Sequence, residues 1–176
     1  GNIVVAFASA LVPLLVAIVN SDYLRHLYHE NLAYSPIVGQ LYVWTSGFAL
    51  FAFLITLARE LVKDIEDIEG DREMECRTAA IVWGTKNTKI IVSLILVITI
   101  ALISYIFFCV LPFPHSWNTL ATRYMLFGLN VPIVCAIVLL WAAKTPIEYH
   151  RAQVIIKFAM FMGVMNSFVI YQNLLG

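Results

Sequence analysis

Charged residues are scarce in this sequence: they make up 12% of its 176 residues, whereas a soluble domain carries about 25%. Hydrophobic residues account for 61%, against about 45–50% in an ordinary soluble domain. The excess is too large for a surface that faces water, which excludes a soluble enzyme and a disordered chain. The formal net charge is zero, so no overall basic field exists to attract nucleic acid. The composition therefore indicates a membrane protein without a nucleic-acid partner.

Cysteine is scarce as well, with three residues that form no Cys-x-x-Cys pair: Cys76, Cys109 and Cys135. Their number and spacing argue against a disulfide framework and against a zinc site. The sequence also lacks a glycine-rich phosphate loop and an internal repeat. It begins without a methionine and without the basic stretch of a signal peptide. We therefore expect these residues to come from the interior of a longer protein.

Five stretches are long and apolar enough to cross a bilayer as helices, which takes about 20 residues each. They are residues 3–19, 38–58, 90–111, 124–143 and 154–175. We therefore predict an all-α fold, a polytopic transmembrane helical bundle that forms one domain over residues 1–176. Basic residues concentrate in the second and fourth connections, so we expect these connections on the cytoplasmic side of the cell membrane.

The second connection is also strongly acidic. Eight of the eleven acidic residues fall within residues 59–77. If the second helix continues through this segment at about 100° per residue, four carboxylates share an arc of about 60°. They are Glu60, Asp64, Asp67 and Asp71. Like charges at this spacing destabilise a helix unless a cation or a base neutralises them. Glu66 and Glu69 are expected to point away from this stripe and outward.

Such a stripe suits a hard divalent cation, because Mg²⁺ binds one or two carboxylates together with substrate phosphate and water. We predict that the catalytic, metal-binding residues are Asp64, Asp67 and Asp71. Three bases nearby would hold a diphosphate and stabilise it as a leaving group: Lys63, Arg72 and Arg77. The alternative from the residues alone is a solvated cytoplasmic loop of mixed charge.

A longer motif surrounds these acids, made of Arg59-Glu60, the run from Lys63 to Asp71, Cys76-Arg77-Thr78 and Trp83-Gly84. It resembles the second aspartate-rich motif of the UbiA superfamily of intramembrane prenyltransferases. Within that superfamily it is most similar to the geranylgeranylglyceryl-phosphate geranylgeranyltransferase branch. The opening Gly1-Asn2-Ile3-Val4-Val5-Ala6 is similar to the start of the fifth membrane helix of the family.

The resemblance implies a bundle of nine helices with two aspartate-rich motifs, which hold Mg²⁺ on an allylic prenyl diphosphate such as geranylgeranyl diphosphate. The prenyl group then passes to a lipid or aromatic acceptor. Asp67 and Asp71 match the core D-x-x-x-D of the second motif, and Asp64 matches the acid before it. By the same resemblance, Lys63, Arg72 and Arg77 are the diphosphate contacts.

The sequence departs from the family pattern in places. Glu75 stands where a small residue, often glycine, is expected, and Ala79-Ala80 replace an expected Leu-Pro. The first motif, similar to N-D-x-x-D, is absent, and five membrane segments stand where nine are expected. The chain thus resembles the C-terminal half of such an enzyme, and we expect it to be inactive without the missing N-terminal half.

Two other functions are compatible with parts of the pattern. CDP-alcohol phosphotransferases also place aspartates at the ends of membrane helices, but their motif has glycine where this chain has Ile68, and it continues with a second aspartate pair. A truncated, non-catalytic homologue acting as a membrane scaffold is the other alternative. An in-frame first motif upstream of the chain would distinguish that scaffold from an enzyme.

Overall fold

Helices account for all regular secondary structure in the part of the chain that the computed structural model describes, residues 1–28, 37–110 and 119–175. The α-helices are α1 (Asn2–Tyr28), α2 (Ile37–Glu66), α3 (Ile68–Glu73), α4 (Ala79–Trp83), α5 (Thr85–Tyr105), α6 (Leu120–Arg123), α7 (Val131–Ala142) and α8 (Pro146–Leu175). Two π-helical stretches, Ile106–Val110 and Tyr124–Asn130, continue α5 and join α6 to α7. The prediction of an all-α bundle is confirmed.

Within the described ranges, five spans are long and apolar enough to cross a membrane: Asn2–Leu24, Leu41–Glu66, Thr85–Cys109, Leu120–Ala142 and Pro146–Gln172. Each overlaps one predicted segment, but α8 begins eight residues earlier than predicted. Proline is tolerated in the first turn of a helix because its missing N–H would have no partner there. The Glu148 carboxylate accepts hydrogen bonds from the Lys144 and Thr145 N–H groups, which secures this helix start.

The interior of the bundle lies between α2, α5, α7 and α8. Its fully buried members include Val62 on α2, Leu96 on α5, Ile133 on α7 and Ile156 on α8. Alanines with no exposed surface allow the helices to approach closely, as is typical of membrane helix packing: Ala6, Ala17, Ala58, Ala136, Ala152 and Ala159. These contacts fix the end of α2, and with it the acidic segment, against α5 and α8.

Helix α1 packs along a different side of α2. Polar contacts join them within the apolar span: the Ser9 hydroxyl lies 3.1 Å from the Thr56 hydroxyl and 3.3 Å from the Ala52 carbonyl, and Ser21 lies 2.9 Å from the Tyr42 hydroxyl. Hydrogen bonds between membrane helices of this kind contribute about 0.6 kcal/mol on average. They set the register of α1, so that its first turn lies beside the acidic end of α2.

Candidate functional site

The acidic segment is helical across the boundary between α2 and α3. The Asp67 N–H donates to the Lys63 carbonyl and the Asp71 N–H donates to the Asp67 carbonyl, both at 2.9 Å. The helical continuation assumed for the acidic stripe therefore extends to Glu73. Asp64, Asp67 and Asp71 consequently lie on successive turns, as their spacing predicts.

A turn reverses the chain after α3 and brings it back to α4. Glu75 has φ = 53°, in the left-handed region that favours glycine, and it is the one non-glycine residue of positive φ in the described ranges. The Cys76 N–H donates to the Asp71 carbonyl at 2.9 Å, which closes the turn. The backbone thus explains why a small residue is expected at position 75: a side chain there is strained.

Asp64 is half-buried and is held by two donors on one oxygen. Its Oδ2 accepts a hydrogen bond from Asn2 Nδ2 at 2.7 Å and another from the Ala79 N–H at 3.1 Å. These bonds join α1, α2 and α4 at a single carboxylate. The negative charge of Asp64 is repelled by the charges of Asp71 and Glu60, so these three carboxylates share one region. The other oxygen of Asp64, Oδ1, has no hydrogen bond within the described ranges.

Asp67 and Asp71 are the two acids of the stripe that have no protein partner among the described residues. Asp67 is exposed and Asp71 is half-buried. Neither carboxylate forms a hydrogen bond or an ion pair with any residue that the structure describes. Glu60 differs, because it is paired with Arg59. Within the acidic stripe, the carboxylate oxygens available to a cation are therefore those of Asp67 and Asp71, together with Oδ1 of Asp64.

The three bases predicted to hold a diphosphate lie around the same segment. Lys63, Arg72 and Arg77 are exposed, and none has an ion-pair partner in the described part of the chain. Their charges are thus free for an anion. Thr78, next to Arg77, has a buried hydroxyl oxygen that forms no hydrogen bond to a described residue.

The expectation that Glu66 points outward is wrong. Glu66 accepts hydrogen bonds from two side chains of α8, His150 Nδ1 at 2.9 Å and Gln153 Nε2 at 3.1 Å. Because Glu66 lies two residues beyond Asp64, it faces about 160° away from that residue around the helix. Nothing in the residue pattern predicts that α8 occupies this side. Glu66 therefore joins α2 to α8 and is separate from the acidic stripe.

The carboxylates of the acidic stripe can be set against what a divalent cation requires of its ligands. Among the residues that the structure describes, no group of three or more His, Cys, Asp or Glu side chains is close enough to enclose a metal ion. Mg²⁺ does not need such a cage, because it is usually held by one or two carboxylates plus substrate phosphate and water. Two unpaired carboxylates and one free carboxylate oxygen fit this mode of binding.

A separate apolar cavity of about 80 Å³ lies between α2, the two π-helical stretches and α8. Phe51 is among its lining residues. Asp64 follows Phe51 by 13 residues, which places it about 140° around the helix and about 20 Å further along it. The cavity and the acidic stripe therefore lie on nearly opposite faces of α2, so this cavity does not open onto the stripe.

Aromatic side chains of the membrane segments divide into two groups. Phe51 and Phe107 line the cavity. Others are exposed on the outer surface of the bundle: Tyr105, Phe108, Phe168 and Tyr171. Asn166 contributes a polar group to the cavity wall, whereas the Ser167 hydroxyl bonds to the Val164 carbonyl of its own helix.

Asn2 is the site residue that sequence reasoning missed. Its distance from Asp64 in the sequence, 62 residues, gives no local pattern that would join the two. The available signal was its place as the first polar residue before a long apolar helix, near the predicted cytoplasmic end. That signal identifies a helix start but names no partner.

Comparisons with known proteins identify related chains. A relative from Methanosphaera stadtmanae, named digeranylgeranylglyceryl phosphate synthase, is 28% identical over 172 residues, which cover 90% of this chain and 58% of that protein. Proteins of the same name from Thermococcus onnurineus and Sulfolobus acidocaldarius are 28% and 37% identical over 74% and 57% of this chain. These matches cover 46% and 30% of the two proteins.

The chain spans about half the length of the curated relatives that it matches over most of its own length. No solved structure matches it significantly. The family model described as "UbiA prenyltransferase family" matches residues 1–165, which include all five apolar spans except the end of the last. The chain therefore belongs to the UbiA prenyltransferase family.

Proposed function

We propose that this chain is the C-terminal half of an Mg²⁺-dependent prenyltransferase that acts inside the membrane, on an allylic prenyl diphosphate and a lipid acceptor. The observation that carries the proposal is the pair of unpartnered carboxylates, Asp67 and Asp71, on one helical face beside three unpaired bases. Ionisable groups at the rim of a membrane span are functional candidates, and these acids directly follow the apolar span of α2.

In this proposal, Asp67, Asp71 and Oδ1 of Asp64 face the cation. Bound Mg²⁺ would neutralise the diphosphate and make it a better leaving group. The guanidinium groups of Arg72 and Arg77 can each hold two phosphate oxygens, and Lys63 adds a point charge. The bond between the allylic carbon and the diphosphate oxygen breaks, and both electrons leave with the diphosphate. The acceptor oxygen then bonds to that carbon and releases its proton.

The membrane location suits this chemistry. A prenyl chain gains about 0.8 kcal/mol per CH₂ group that is kept from water, so the substrate partitions into lipid. An allylic cation reacts with water, so the reacting carbon needs apolar surroundings while the diphosphate stays at the polar end. The acidic stripe supplies the polar end, and the apolar span of α2 follows directly from it into the membrane.

The names of the relatives guide the choice of acceptor. A synthase of digeranylgeranylglyceryl phosphate makes a lipid with two geranylgeranyl groups on one glyceryl phosphate. We infer that the acceptor here is a glyceryl phosphate that already carries one prenyl chain, and that the donor is geranylgeranyl diphosphate. An aromatic acceptor is the second candidate, which the assay below tests.

The test is a product assay on the intact polypeptide that carries this chain, with Mg²⁺, radiolabelled geranylgeranyl diphosphate and two acceptors offered separately. We expect a labelled diprenylglyceryl phosphate with the geranylgeranylglyceryl phosphate acceptor and no product with 4-hydroxybenzoate. The 176-residue chain alone should give no product. Turnover by the isolated chain would overturn the expectation that it is inactive by itself. Transfer to the aromatic acid alone would overturn the choice of a lipid acceptor.

A further inference from the structure

Asn2 contacts the acidic stripe and has no role in the proposed function. It lies in the first turn of α1 and is half-buried. Its side-chain nitrogen donates to Asp64 Oδ2 at 2.7 Å, and the Ala79 N–H donates to the same oxygen at 3.1 Å. Both donors therefore act on one carboxylate oxygen, and the other oxygen stays free.

We propose that Asn2 is a positioning residue for the prenyl-transfer site, which fixes the Asp64 carboxylate so that Oδ1 faces the cation and its diphosphate. This inference rests on the function proposed above. Metal-binding carboxylates are themselves hydrogen-bonded to neighbours that orient them, and the loss of such a neighbour lowers metal affinity about 10- to 100-fold.

The chemical type of the side chain favours this role. The charge of Asp64 lies in the same region as the like charges of Asp71 and Glu60. A lysine or arginine in place of Asn2 would also hold the carboxylate, but it would neutralise the charge that a cation needs. An amide orients the carboxylate and leaves its charge intact, because it is neutral.

A purely structural bond between α1 and α2 is the competing explanation. The two helices are already joined by the contacts of Ser9 with Thr56 and of Ser21 with Tyr42, further along the same interface. Removal of Asn2 should therefore leave α1 packed on α2, and the effect should fall on cation binding.

The experiment measures the binding of Mg²⁺ by titration calorimetry to the intact polypeptide in detergent, with inorganic pyrophosphate present. Asn2→Ala should raise the dissociation constant for Mg²⁺ about 10-fold or more. Asn2→Gln keeps the amide donor and should recover part of the affinity. The isosteric Asn2→Asp removes the donor and adds a like charge, so it should bind Mg²⁺ no more tightly than Asn2→Ala does. Asn20→Ala is the matched control, because the Asn20 amide bonds only to the Val16 carbonyl of the same helix.

A double-mutant cycle separates positioning from structure. If Asn2 acts through Asp64, Asn2→Ala should change Mg²⁺ binding no further in an Asp64→Ala background. Equal losses in both backgrounds, or an Asn2→Asp variant that binds as well as the wild type, would overturn the inference. Thermal unfolding of each variant without Mg²⁺ checks for loss of folding. A loss of Mg²⁺ binding in Asn2→Ala no larger than the fraction of that variant already unfolded would also overturn the inference.

The same titration distinguishes this inference from the proposed function. If Asp67→Asn and Asp71→Asn abolish Mg²⁺ binding while Asn2→Ala leaves it intact, the positioning role fails and the function stands. If Asp67→Asn and Asp71→Asn bind Mg²⁺ as the wild type does, the proposed function fails and the inference fails with it.

Discussion

The ring of Phe51 on α2 lies directly against the backbone of α8 at Gly163, so closely that a Cβ atom at Gly163 would overlap the ring. Both residues line the apolar cavity on the face of α2 opposite the acidic stripe. Glycine at this position thus sets the distance between the two helices that Glu66 joins at their other end. It is a case of a small residue that allows close helix packing in a membrane.

Gly163→Ala should therefore destabilise the bundle. Overpacking of a close contact costs about 1–3 kcal/mol, because the ring or the helix must move. Thermal unfolding of the detergent-solubilised protein would measure the loss. Gly47→Ala is the control, since its added Cβ would meet Ile106 at an ordinary 3.9 Å and should be tolerated. Equal unfolding temperatures for Gly163→Ala and the wild type would contradict the close packing.

Glu75→Gly should stabilise the turn after α3. A left-handed conformation costs a non-glycine residue about 1–2 kcal/mol, whereas the added freedom of glycine in the unfolded chain costs about 0.4–1 kcal/mol. The net gain is therefore between about 0 and about 1.6 kcal/mol. Glu73→Gly, within helix α3, is the matched control and should destabilise. A lower unfolding temperature for Glu75→Gly would show that the turn does not carry this strain.

Cys76 reports on which side of the membrane the acidic end lies. It is exposed in the turn after α3, outside the apolar spans, whereas Cys109 and Cys135 lie within them. In a Cys109→Ser/Cys135→Ser background, a membrane-impermeant maleimide should label Cys76 only after the cells are opened. Labelling of intact cells would reverse the cytoplasmic orientation that the basic residues predict.

Glu66→Gln should reduce stability without changing the dependence on Mg²⁺. The substitution removes the charge that strengthens the hydrogen bonds to His150 and Gln153, and the loss of one such bond costs about 0.5–1.5 kcal/mol. Its unfolding temperature should fall, while the Mg²⁺ concentration for half-maximal transfer should stay that of the wild type. A large rise in that concentration would place Glu66 in the metal site after all.

The sequence was sufficient to predict the helical bundle, because membrane spans depend on a local property, the length of an apolar run. It also predicted the shared face of Asp64, Asp67 and Asp71, because that face depends only on helical periodicity. It could not predict that Glu66 meets α8 or that Asn2 meets Asp64. Those contacts depend on how distant helices pack, and neither residue type nor spacing records a partner 62 or 84 residues away.

The central claim is that Asp67 and Asp71 bind the cation on which prenyl transfer depends. Its most direct test is the rate of geranylgeranyl transfer against Mg²⁺ concentration for Asp67→Asn and Asp71→Asn in the intact polypeptide, with Asp22→Asn on α1 as the control for loss of one carboxylate charge. We predict a loss of about 100-fold or more in turnover for the first two, as for loss of a major electrostatic contribution to catalysis, and a wild-type curve for the control. Unchanged turnover and unchanged Mg²⁺ dependence in Asp67→Asn and Asp71→Asn would contradict the account.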